Sequence, residues 1–281
     1  MTRDDVLIGA RNLGRLIADG AGLAILDVRW RLDRPDGRGD YLAGHIPGAV
    51  YVSLEDDLSD HTLAGRGRHP LPAGPAIQAA ARRWGIRTGE PVVVYDDWNR
   101  AGSARAWWVL TAAGITGVRI LDGGLAAWTA SGGDLQPGEI TPEPGDVTVA
   151  YDDLYQGGRP TLTAGQIADG PVTPLLDARA PERFRGEVEP LDPAAGHIPG
   201  ARNVPSTSVL APDGTFLPAA ELAAVLQDAG AAAPAGVYCG SGVTASVVLA
   251  ALGAAGVEAA LFPGSWSQWS GENRPVARGP V

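Results

Sequence analysis

The sequence predicts an α/β protein of two tandem domains, each a mainly parallel sheet flanked by helices. Three observations predict it. The 281 residues are enough for two separate cores. A set of motifs recurs in the same order in both halves, and short apolar runs alternate with amphipathic segments.

The repeat is visible residue by residue. Ile25-Leu26-Asp27-Val28-Arg29 matches Leu175-Leu176-Asp177-Ala178-Arg179. Gly44-His45-Ile46-Pro47-Gly48-Ala49 recurs as Gly196-His197-Ile198-Pro199-Gly200-Ala201. Pro91-Val92-Val93-Val94-Tyr95 corresponds to Ala235-Gly236-Val237-Tyr238, and Gly123 followed by Trp128 to Gly264 followed by Trp269. The expected division is a first domain over 1–135, a linker over 136–158 rich in Gly, Pro and acidic residues, and a second domain over 159–281.

Within each half the order is βαβα. Val92-Val93-Val94-Tyr95 is followed by a predicted helix over Ala101–Ala113 and then by Val118-Arg119-Ile120-Leu121. Such an order gives a parallel sheet, and ligands of such sheets bind beyond the carboxyl ends of the strands.

Composition excludes several functions. The net charge of -10 disfavours nucleic acid or an anionic membrane as a partner. The most apolar stretch, Val247 to Phe262, is broken by Gly253, Gly256 and Glu258, so no membrane span is expected. No signal-peptide pattern follows Met1, and a cytoplasmic location is expected. Every cation is arginine, which removes Schiff-base chemistry and a phosphate-binding lysine. Four scattered histidines and a single cysteine offer no metal-ligand spacing and no intrachain disulfide. No metal or cofactor is expected.

That cysteine sits where a ligand site belongs. Cys239 follows the short strand ending at Tyr238 and heads Gly240-Ser241-Gly242-Val243-Thr244, after which a helix begins. The first N–H groups of a helix lack intrahelical partners, and glycines let a loop curl so that several such donors converge. A thiolate there is stabilised, and so is a persulfide on the same sulfur. A lone cysteine is more often a buried core residue. The setting between strand, glycines and helix outweighs that, and the matching position in the first half is Asp96, which has no nucleophilic sulfur. The first domain is therefore expected to be catalytically silent.

The run Cys239-Gly240-Ser241-Gly242-Val243-Thr244-Ala245 resembles the active-site loop of 3-mercaptopyruvate sulfurtransferases, in the two-domain rhodanese superfamily. Both Gly-His-Ile-Pro-Gly-Ala motifs, the Asp-x-Arg strand ends and Gly264-Ser265-Trp266 extend the resemblance over nearly the whole chain. It implies two rhodanese-like domains and a sulfurtransferase. Sulfane sulfur would pass from 3-mercaptopyruvate or thiosulfate, through a Cys239 persulfide, to cyanide, a thiol or a thioredoxin-like protein. It further implies that Ser241 and two arginines of the second domain hold the donor. Arg183 matches the first arginine, but the second position is Leu191. The thiosulfate branch usually has basic residues directly after its cysteine. Gly240-Ser241 therefore favours mercaptopyruvate, while Leu191 keeps thiosulfate open. Some relatives pair the loop serine with a histidine and an aspartate of the first domain. His45 matches the histidine as a possible cleft contact, whereas the aspartate's place is taken by Arg29.

Other residues have plainer readings. His197 shares its motif with His45, which suggests a structural role for both. Asp27, Arg29, Asp177 and Arg179 occur in both halves and read as scaffold ion pairs. A phosphatase of the Cys-x5-Arg kind is excluded, since Ala245 stands six residues after Cys239. A redox sensor lacks its resolving cysteine. A non-catalytic persulfide carrier that delivers sulfur to a partner protein remains the alternative.

Overall fold

The computed structural model describes residues 1–20, 22–170, 172, 174–231 and 236–280. Ala235, used above in matching the halves, lies outside the described residues. Two wholly parallel sheets are present. The first contains β1 (Leu7–Ile8), β2 (Ala24–Asp27), β3 (Val50–Tyr51), β4 (Val92–Tyr95) and β5 (Val118–Leu121), in the order β1-β5-β4-β2-β3. The second contains β6 (Leu175–Asp177), β7 (Arg202–Asn203), β8 (Gly236–Tyr238) and β9 (Ala260–Leu261), in the order β7-β6-β8-β9. Overlaying β2, β3, β4 and β5 on β6, β7, β8 and β9 gives one topology twice. The counterpart of β1 has shrunk to a single parallel bridge, Thr161 to Leu261.

The strands are apolar on both faces because both faces are covered. Successive side chains point to opposite faces. Leu26, Val92, Val94 and Ile120 thus enter one core while Ile25, Val93, Tyr95 and Leu121 enter another. In the second sheet Leu176, Val237 and Leu261 join the same core as Leu26, and Leu175, Tyr238 and Phe262 face away. One core is therefore continuous across both domains. At its centre the Ala101–Ala112 helix packs on the Ala245–Ala254 helix. A helix buried all round must be apolar all round, or of small residues where backbones approach. Ala245–Ala254 reads Ala-Ser-Val-Val-Leu-Ala-Ala-Leu-Gly-Ala, and every one of these residues is buried.

Each helix starts directly after the loop that leaves a central strand, β4 or β8. Packing them together brings the two loops to one interdomain cleft at the carboxyl ends of the strands. The 136–158 segment runs along the first domain, donating from Gly145 N–H to Arg82 O at 2.8 Å and from Ala150 N–H to Ala113 O at 2.8 Å.

Paired ion clusters lock each sheet. Arg29 grips Asp27 at 2.9 Å and donates to Gly44 O at 2.6 Å. Arg179 grips Asp177 at 2.6 Å and donates to Gly196 O at 2.7 Å. Asp177→Ala would leave the buried Arg179 guanidinium with only the longer Glu189 contact at 3.4 Å and the Gly196 carbonyl. Breaking such a pair costs roughly 3–5 kcal/mol. Urea unfolding should show a destabilisation of that order, and a change under about 1 kcal/mol would mean that water reaches Arg179.

Candidate active site

The second-domain loop turns one backbone donor toward the sulfur. Cys239 is 1% exposed, and Gly242 N–H donates to its Sγ at 3.2 Å. The Cys239 N–H donates to Ser265 Oγ at 3.2 Å, and its carbonyl accepts from Trp266 N–H at 3.0 Å. Gly242 has a φ of +80°, and a Cβ there would stand 2.6 Å from Pro263 O. No L side chain fits both conditions. Val243 is buried and Thr244 half-buried where the loop enters the helix.

The same seat in the first domain already holds an anion. The Asp96 carboxylate accepts from Trp98 N–H at 3.0 Å, Arg100 N–H at 3.2 Å, Ser103 N–H at 3.0 Å and Ser103 Oγ at 2.6 Å. The Arg100 guanidinium lies 2.9 Å away. The strand-to-helix loop thus cradles a carboxylate in the first domain and turns the Gly242 N–H toward a sulfur in the second.

Across the cleft the first domain presents a histidine to Ser241. His69 Nδ1 lies 2.7 Å from Ser241 Oγ, and its Nε2 lies 3.2 Å from Glu55 Oε1. An ionised carboxylate only accepts, so Nε2 carries the proton and Nδ1 accepts from the serine hydroxyl. Trp30 donates its indole N–H to Glu55 at 2.7 Å and sets its ring edge-on to His69 at 5.7 Å. The hydrogen bond with His69 brings Glu55 down to about 2, with the Trp30 bond adding to the effect against the cost of burial. Burial pushes His69 below its ordinary value of 6.5, against the pull of Glu55. At neutral pH this arrangement is a neutral imidazole backed by a carboxylate.

His45 does not take this place. Its ring stacks on Tyr41 at 4.2 Å, with Nδ1 2.9 Å from Tyr41 O, and its backbone pairs with Gln136. His197 does the same in the second domain, stacking on Phe184 at 3.8 Å with Nδ1 2.8 Å from Phe184 O. Both histidines brace turns. Arg29 likewise lies in its scaffold cluster, and the carboxylate behind the histidine is Glu55. The missed residues had a signal. His69 and Glu55 fall in a stretch of the first half for which no motif recurs in the second, whereas His45 is shared by both.

Arg183 does reach the loop. Its Nη2 lies 2.6 Å from Glu189 and 3.3 Å from Asp192, and its Nη1 would be 3.5 Å from a Cβ on Gly240. Leu191 is 45% exposed. Arg105, on the Ala101–Ala112 helix, is fully buried with carbonyls for partners: Leu58 O at 2.9 Å, His69 O at 3.0 Å and Gly242 O at 3.3 Å.

The family model for the rhodanese-like domain matches residues 10–131 and again 160–272. The chain belongs to the rhodanese family. This sulfurtransferase is 65% identical over 280 residues to a Mycobacterium tuberculosis protein, SseB, named as an unproven thiosulfate sulfurtransferase; the match covers 99% of this chain and 98% of that one. It is 36% identical over 260 residues to the 3-mercaptopyruvate sulfurtransferase of Escherichia coli, covering 89% and 90% of the two chains. The crystal structure of the 3-mercaptopyruvate sulfotransferase SseA from Escherichia coli superposes with a TM-score of 0.81 at 34% identity over 95% of this chain and all of that one.

A cavity of about 900 Å³ lies elsewhere in this rhodanese. It is lined by Pro91, Val118, Trp107 and Leu249, at the amino ends of the strands, and no residue of the Cys239 loop borders it. The chemistry-bearing groups gather at the opposite, carboxyl ends, where such sheets bind ligands.

Two predictions follow from this geometry. Gly242→Ala forces a side chain into the left-handed region and against Pro263 O, which should lower sulfurtransferase turnover at least tenfold and cost roughly 1–3 kcal/mol in urea unfolding; wild-type values for both would refute the seat. The second concerns pH. Neutral His69 can accept from Ser241, and protonated His69 cannot, so kcat/KM should fall on acidification through a pKa below 6.5. Glu55 and, beyond it, His61 face this group. Glu55→Gln removes the charge that favours protonation, so the acid limb should move to lower pH; an unmoved limb would place the titrating group elsewhere.

Proposed function

We propose that the protein transfers sulfane sulfur from 3-mercaptopyruvate, with thiosulfate the poorer donor, to cyanide or a thiol through a persulfide on Cys239. The hydrogen bond between Ser241 and His69 at 2.7 Å carries this choice of donor. The Cys239 thiolate attacks the donor sulfur. An S–S bond forms as the C–S bond breaks, and the electron pair leaves on carbon as the enolate of pyruvate. That carbon needs a proton. The Ser241 hydroxyl delivers it, and the proton of the donor's own thiol refills the Ser241–His69 pair. Pyruvate departs and Cys239 is left as a persulfide anion. Thiosulfate would release sulfite, a stable anion that needs no proton, so the Glu55–His69–Ser241 array would be idle with that donor.

In the second half-reaction cyanide, a small thiolate or a thioredoxin-like protein thiolate attacks the outer sulfur. The Cys239 thiolate leaves, and thiocyanate or an acceptor persulfide departs. The first domain has no second reaction centre in this scheme. Asp96 fills its seat with a carboxylate, so that domain contributes His69, Glu55 and Arg105 instead of a nucleophile.

Initial rates with the two donors, with cyanide as acceptor, test the reading. Mercaptopyruvate should be preferred, and Cys239→Ser should abolish both reactions. Ser241→Ala should lower mercaptopyruvate turnover by roughly 10²-fold, the usual scale for a proton-transfer group, and thiosulfate turnover far less. Preference for thiosulfate, or an equal loss with both donors, would overturn the choice of donor.

A further inference from the structure

Where a second arginine of the second domain is expected, this chain has the exposed Leu191, yet a second guanidinium stands at the site. We propose that Arg68, from the first domain, pairs with Arg183 of the second to form a clamp for the anionic headgroup of the sulfur donor. The inference rests on reading Cys239 as the residue that accepts sulfur, and it concerns how the donor is held beside it.

The two side chains converge over Gly240, the residue after Cys239. A Cβ built there would lie 3.0 Å from Arg68 Nη2, 3.5 Å from Arg183 Nη1 and 3.9 Å from Arg183 Nη2. Asp192 holds them together, bonded to Nη1 of Arg68 and lying 3.3 Å from Nη2 of Arg183. Glu189 takes Arg183 Nη2 as well, at 2.6 Å. Asp192 thus engages one arm of each guanidinium, and Glu189 engages the same arm of Arg183 alone. Among the described residues, the arms nearest Gly240, Arg68 Nη2 and Arg183 Nη1, have no hydrogen-bond acceptor. The Nε atoms of both arginines are buried and without a partner.

The two arms are open to the cleft, and planar guanidinium edges suit a carboxylate or a sulfonate. Arg68 is fixed to the second domain at its backbone too, donating its N–H to Ser267 Oγ at 3.1 Å. It directly precedes His69, so one short segment delivers both the anion donor and the histidine that meets Ser241. Gly240, having no side chain, leaves the space beside Cys239 open, and Arg68 reaches it from across the cleft.

Calorimetric titration in a Cys239→Ser background tests the clamp without turnover. The probes are 3-mercaptopyruvate, thiosulfate and mercaptoacetone, which is the keto-thiol without the carboxylate. Arg68→Gln should weaken at least one of the two anions tenfold or more and leave mercaptoacetone within about twofold, since a lost charged contact of about 1.4 kcal/mol is a factor of ten. Whichever anion responds identifies the headgroup. Arg68→Lys should fall between, and Leu191→Arg added to Arg68→Gln should restore binding, which also shows that the variant folds. Unchanged affinity for both anions would overturn the clamp. Equal weakening of the neutral ligand would also do so, by reducing Arg68 to an interdomain strut. Absence of Cys239-dependent turnover in the wild type would instead sink the proposed function and leave this binding result standing.

Discussion

A cation with no carboxylate against it holds the site together. The Arg105 guanidinium is completely buried, and its partners are the carbonyls of Leu58, His69, Pro70 and Gly242. Burial brings it down to about 10, so it stays charged at neutral pH. Three of those carbonyls belong to the irregular segment after β3, which has no ladder to fix it. The fourth belongs to the Cys239 loop. One side chain therefore sets the distance between the histidine-bearing segment and the sulfur-bearing loop. A carboxylate partner would cancel its field, whereas carbonyl dipoles leave a net positive charge beside Cys239.

The burial of the two central helices has the same consequence at larger scale. Small residues on Ala245–Ala254 let the Ala101–Ala112 helix approach closely, and Trp107, Trp108 and Leu110 fill the remaining volume. Close-packed interfaces do not deform continuously. The hydrogen bond between His69 and Ser241 spans 172 positions of chain. It can keep a 2.7 Å separation because both ends are tied to this one core.

The fold was legible because the chain states it twice. Asp27-Val28-Arg29 with Gly44-His45-Ile46 and Asp177-Ala178-Arg179 with Gly196-His197-Ile198 mark equivalent turns. The apolar runs between them show strands covered on both faces. The Cys239 loop was legible because its signal is local: a strand end, two glycines and a helix start within a few residues. Glu55, Arg68 and His69 were not. Their segment has neither helical nor strand period, and what aligns them is a buried arginine on a distant helix. The repeat drew attention to His45, the histidine that both halves share. Sharing is the signature of scaffold here, as its stacking on Tyr41 and that of His197 on Phe184 make plain. The informative residues are those that only one half possesses.

That asymmetry explains why a duplicated fold suits group transfer of this kind. A single strand-to-helix loop provides a seat beside Cys239 and, at Ser241, a hydroxyl, but it does not supply the histidine and carboxylate that orient that hydroxyl or the second guanidinium over Gly240. A second copy of the domain, packed helix to helix, brings a second loop region to the same cleft without new architecture. Its own seat must then be satisfied internally, since a cradle of N–H groups buried by the interface would otherwise be left unpaired. Asp96 meets that need with four hydrogen bonds. The first domain is thereby free to vary the segment after β3, and it is this segment that reaches Ser241 and Gly240. In the proposed clamp the second cation at Gly240 comes from Arg68 of the first domain, on the same short segment as His69, while Leu191 of the second domain lies exposed.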